Sequence, residues 1–117
     1  FETIARRAAN EWSLRADVGL VVGATQPAEL RRVREIVGDL PLLVPGVGAQ
    51  GGDPASVIAN GATADGTGLI VNSSRAVIYA SAGDDYAAAA RAAAVTLRDS
   101  LSDALRDTAN SRVSRRP

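Results

Sequence analysis

The chain contains no lysine, histidine, cysteine or methionine, and all 13 of its basic side chains are arginines. Without histidine it lacks the side chain that titrates near neutrality and is the commonest metal ligand. Without cysteine it has no thiol nucleophile, no disulfide and no thiolate for zinc, so no metal site is expected. Without lysine it cannot form a Schiff base. Aromatic residues make up only 3% of the chain, so the core has to come from Val, Leu, Ile and Ala. The 13 arginines are matched by 13 acidic residues, and the resulting zero net charge argues against nucleic acid or an anionic membrane as partner. No apolar run reaches the roughly 20 residues of a membrane span. The opening FETIARRAANEW also lacks the hydrophobic stretch of a secretion signal. Carboxylates, guanidinium groups, hydroxyls and amides are what remain for chemistry.

At 117 residues the chain has the size of one small domain. Ile4, Ala8, Trp12 and Arg15 recur at helical spacing, which predicts an amphipathic helix over 3–15 with Trp12 in the core. The apolar run over 18–23 reads as a buried strand. Pro27 suits a first helical position, with the Thr25 hydroxyl as a cap ahead of it. Leu30, Val33, Ile36 and Val37 then form a stripe that stops at Gly38. A second strand is expected over 41–45, followed by a glycine-rich loop. Asp53-Pro54 supplies the cap and first residue of a short helix that Asn60-Gly61 closes. A third strand is expected over 68–72. Asp84-Asp85 reads as the acidic cap of a long alanine-rich helix over 84–108, with Val95, Leu101 and Leu105 on its apolar face. A frayed, solvated tail carrying Arg115-Arg116 follows.

Three apolar strands alternating with helices call for a parallel sheet covered by helices. Three such strands, met from the middle of a helix, predict part of a larger α/β protein, either Rossmann-like or a (β/α)8 barrel. A barrel takes about 250 residues, so this would be less than half of one. In both architectures ligands meet the carboxyl ends of the strands. After the second strand, Gly46, Gly48, Gly51 and Gly52 surround Gln50, in a loop whose backbone can approach an anion closely. After the third, Arg75 follows Ser73-Ser74, and its planar guanidinium suits a phosphate. The residues thus point to a phosphate-holding part of an α/β domain. They do not by themselves define a reaction, and a different phosphate-binding barrel enzyme or a non-catalytic binding module stays open at this point.

The segments LLVPGVGAQGGDP (42–54) and LIVNSSRAVIYA (69–80), preceded by VGATQPAELRRVRE (22–35), resemble the C-terminal part of the orotidine 5′-phosphate decarboxylase family. The pattern looks closest to the mycobacterial-type bacterial subgroup. The resemblance implies a cytoplasmic (β/α)8 barrel, active as a homodimer. It converts orotidine monophosphate to uridine monophosphate and CO2 in pyrimidine biosynthesis without a cofactor. It further implies that Gln50 and Arg75 grip the substrate phosphate, with the backbone at Ser74 and Arg75 adding to the cradle. Pro45, Gly46 and Val47 would line the base and ribose pocket. The family's proton donor is a lysine in a D-x-K-x-x-D motif on an earlier strand. This chain has no lysine, so no catalytic residue is expected in it. The chain is expected to be a C-terminal fragment, inactive without the N-terminal part of the barrel.

Overall fold

The computed structural model describes residues 1–48 and 50–113; Ala49 and the tail from 114, including Arg115-Arg116, lie outside the described residues. Helix α1 (Glu2–Arg7) continues as a π-helical turn over Ala8–Trp12, where the Ser13 amide reaches the Ala8 carbonyl at 3.0 Å. Small side chains make the close approach here. Ala5 and Ala8 are buried, and α1 packs on α2 (Pro27–Val37). The indole of Trp12 lies further along, at the rim. It is 39% exposed, with the Arg7 guanidinium 5.6 Å above its ring, so the expectation of a core tryptophan is corrected. Arg32 joins the two helices through Glu2, with Nε donating to Oε1 at 2.8 Å and Nη2 to Oε2 at 3.2 Å.

Three strands, β1 (Leu20–Val21), β2 (Leu42–Pro45) and β3 (Leu69–Asn72), form a parallel sheet in that order. Leu20 stands opposite Leu42, Leu42 opposite Leu69, and Pro45 opposite Asn72. β1 is shorter than the apolar run over 18–23. Its hydrogen bonding nonetheless continues past it, because the Val22 and Ala24 amides donate to the Leu43 and Pro45 carbonyls. Successive side chains in a strand face opposite ways. Leu42 and Val44 are fully buried under α2 and α3 (Pro54–Gly61), with Leu30, Val33 and Val57. On the other face Val21 is 69% exposed, Leu43 36% and Ile70 59%. The helices therefore cover one side of the sheet and leave the other exposed.

The local signals that position these helices differ in kind. Asp53 caps α3, its carboxylate accepting the Ser56 amide at 2.7 Å. Thr25 does not cap α2. The N-cap is Gln26, without a side-chain bond, and Pro27 at the first helical position leaves one amide fewer to satisfy. After β3 the chain forms a short helix that was not expected, α4 (Ser74–Ile78), and then α5 (Tyr86–Val113). α5 runs past residue 108, so residues 109–113 are helical rather than frayed. It packs against α3 and α4, with Val95, Leu97, Leu101 and Leu105 half-buried. Before β2 and β3 begin, the Arg34 guanidinium gathers four main-chain carbonyls from the α2–β2 and α3–β3 connections. Nε donates to Gly61 at 2.6 Å, Nη1 to Gly38 and Leu40 at 2.6 and 2.7 Å, and Nη2 to Gly68 at 2.8 Å.

Candidate functional site

The carboxyl ends of β2 and β3 hold the site. Beyond Pro45 the chain turns sharply, with Gly46, Gly48 and Gly51 at φ of 93°, 81° and 89°, a region that side chains rarely tolerate. The loop closes on itself through its backbone. The Gly48 amide donates to the Gly52 carbonyl at 2.9 Å, Gly51 to Gly48 at 2.8 Å, and Gly52 to Gly46 at 3.0 Å. Gln50 rides on this loop and lies back over Gly46, whose missing side chain leaves room for its amide: a Cβ there would sit 3.1 Å from Oε1.

Gly52 is held tightest. A Cβ at this position would come within 2.5 Å of the Ala24 Cβ and 2.7 Å of the Gly46 carbonyl, an overlap that only backbone movement relieves. Gly52→Ala in the intact protein should therefore cost about 1–3 kcal/mol of stability, the usual range for overpacking, and loosen the Gln50 loop. Urea denaturation together with inorganic phosphate affinity checks this; an unchanged midpoint and affinity would show that the loop tolerates the methyl group.

One hollow is lined from β2 and its loop by Pro45, Gly46, Val47 and Gln50, and from β3 and α4 by Asn72, Ser73, Ser74 and Arg75. All six residues expected at the site (Pro45, Gly46, Val47, Gln50, Ser74 and Arg75) are thus brought together. Val47 differs in how it takes part. Its side chain is 1% exposed and belongs to the core with Ala24, Leu30 and Val57. It therefore borders the hollow from the core side. Its carbonyl accepts the Ser73 hydroxyl at 2.7 Å.

Asn72 and Ser73 were not singled out from the sequence. Strand alternation was the available signal for Asn72, which shares a face with Ile70 and stands opposite Pro45. Its amide Nδ2 lies 3.4 Å from the Ser74 Oγ.

The chemistry of this hollow is one-sided. Among the described residues it contains one guanidinium, two amides and the free hydroxyl of Ser74, with the Ser73 hydroxyl already donating to the Val47 carbonyl, and no carboxylate. Arg75 has no ion pair among the described residues. Such a donor set fits an anion with several acceptor oxygens. Among the described residues no cluster of three carboxylates could hold a metal ion, and no helix is long and apolar enough to cross a membrane.

A parallel sheet with strands in consecutive order, helices along one face and a donor-lined hollow at the carboxyl ends is one sector of a β/α barrel. Known proteins contain a similar sector. Over 101 residues the chain is 59% identical to the orotidine 5′-phosphate decarboxylase of Aromatoleum aromaticum and 54% identical to that of Ralstonia nicotianae; each match takes in 86% of this chain and 37% of the relative. The structure of Leishmania donovani OMP decarboxylase superposes with a TM-score of 0.67 at 35% identity, over 86% of this chain and 37% of that one. An orotidine-monophosphate decarboxylase structure from Toxoplasma gondii gives the same score at 31% identity. No family model matches the chain. The chain spans little more than a third of the relatives it matches, and what it matches is part of the orotidine 5′-phosphate decarboxylase barrel. These bacterial relatives are betaproteobacterial, so the mycobacterial-type affinity is corrected.

Proposed function

We propose that this chain is the C-terminal, phosphate-gripping part of an orotidine 5′-phosphate decarboxylase. The observation that carries the reading is the convergence of Gln50 and Arg75 in one carboxylate-free hollow at the ends of adjacent strands. In this reading Arg75 and the Gln50 amide hold the phosphate of orotidine monophosphate, with Ser74 beside them. Pro45 and Gly46 border the ribose and base. Decarboxylation breaks the bond between the ring and its carboxylate, releases CO2 and places a proton on the ring carbon. The lysine that supplies this proton in the resembled family has no counterpart here, so it would come from the remainder of the barrel, on no cofactor and in a cytoplasmic homodimer. The uncovered apolar face of Val21, Leu43 and Ile70 is the surface that the remaining strands would close over. This sector contributes binding energy remote from the reacting carbon, which favours a closed site and is realised in the transition state.

The test is a chimera in which these residues replace the corresponding segment of the Aromatoleum aromaticum enzyme. It should decarboxylate orotidine monophosphate, whereas the 117-residue chain alone should show no turnover. A folded chimera that neither turns over the substrate nor binds uridine monophosphate would overturn the reading. Turnover by the isolated chain would refute the assignment of the proton donor to the remainder.

A further inference from the structure

The two arms of the hollow come from elements that are far apart in the sequence. Gln50 belongs to the loop after β2, and Arg75 to the first turn of α4. A direct side-chain link joins them: the Ser73 hydroxyl donates to the Val47 carbonyl at 2.7 Å, across 26 residues and in a half-buried setting. Ser73 is also the N-cap of α4, although its side chain makes no cap bond there; the hydroxyl is turned to the loop instead. The loop lies against it on this side, where a Cβ on Gly48 would be in van der Waals contact with the Ser73 Oγ at 3.5 Å. Val47 is anchored in the core. Its carbonyl therefore offers a fixed point, from which one bond sets the start of α4, and with it Ser74 and Arg75, relative to Gln50.

We infer that Ser73 is a positioning residue, a strut that fixes the distance between the Gln50 and Arg75 arms so that both reach the same phosphate. This rests on the phosphate-gripping reading of the hollow. Ser73 spends its proton on Val47, so its effect on a ligand passes through the neighbouring arms. A loss of the strut should accordingly be felt by ligands that carry a phosphate and not by those that lack it.

The experiment uses the intact protein, or the chimera above, as wild type, Ser73→Ala and Ser73→Thr. Affinities are measured for inorganic phosphate, uridine monophosphate and uridine. Ser73→Ala should weaken phosphate and uridine monophosphate about fivefold, the weight of one hydrogen bond, and leave uridine unchanged. Ser73→Thr, which keeps the donor, should stay close to wild type. Equal weakening of uridine and its monophosphate would mean general damage to the fold and overturn the strut. So would a Ser73→Ala variant with wild-type phosphate affinity, or a wild type that binds no inorganic phosphate. If the wild type binds inorganic phosphate in a Ser73-dependent way but neither uridine ligand, the decarboxylase reading fails and the strut stands.

Discussion

On the phosphate-gripping reading, Arg75→Ala in the intact protein should weaken uridine monophosphate binding by about 3 kcal/mol, on the order of a hundredfold. Among the described residues Arg75 is the only cation in the hollow, and no carboxylate lines it to share the guanidinium with. The substitution removes a fork of donors from a doubly charged ligand, and neutral amides and hydroxyls cannot replace that charge. Gln50→Ala serves as the internal contrast. A single amide donor to a charged phosphate contributes about 1.5 kcal/mol, so its loss should cost closer to tenfold. Arg75→Lys should fall between, because an ammonium keeps the charge but not the planar pair of donors. Calorimetric titration with uridine monophosphate and with uridine separates the effects: all three variants should bind uridine like wild type. An Arg75→Ala protein with unchanged affinity for the monophosphate would remove this residue from the site.

The sequence made Gln50 and Arg75 legible because both follow strand ends, which are recognisable from short apolar runs and glycine punctuation. The same reasoning misplaced Trp12. Helical spacing identifies a face but not which side chains on it are small enough to let two helices meet; here Ala5 and Ala8 do so and the indole is left at the rim. Val47 lines the hollow while its side chain packs in the core. The loop's direction is set by bonds between Gly46, Gly48, Gly51 and Gly52, which no side chain announces. The exposed face of the sheet was obscured for a different reason. An apolar run reads alike whether helices cover one side or both, so Val21 and Ile70 resembled core positions in a sector whose inner face is uncovered. Ser73 and Asn72 gave no such signal, because the bond from the Ser73 hydroxyl goes to a main-chain carbonyl 26 residues away and Asn72 sits within an apolar strand.

Arg34 was hidden for the same reason as the loop, and its replacement gives the largest expected effect on stability. Its partners are all main-chain carbonyls, 4, 6, 27 and 34 residues away, so no spacing of side chains marks it. The four bonds draw together the turn after α2, the approach to β2, the end of α3 and the approach to β3. Burial lowers the pKa of its guanidinium, with the charge of Asp39 opposing; an arginine nonetheless stays protonated in such a setting. Arg34→Ala would strip the donor from all four carbonyls at once. Water can reach part of this cluster and replace some of the bonds, which brings the expected loss to about 3 kcal/mol, below the sum of four charge-assisted bonds. Arg34→Lys should restore only a minority of it, since a single ammonium cannot span four acceptors arranged around a plane. Urea denaturation of the intact protein measures this directly, and the affinity of the folded variants for uridine monophosphate should stay at the wild-type level. The clamp sits at the amino ends of the strands, opposite the Gln50 and Arg75 hollow, where a barrel carries stability rather than chemistry. An Arg34→Ala protein of wild-type stability, or one that stays stable but loses the monophosphate, would contradict that division.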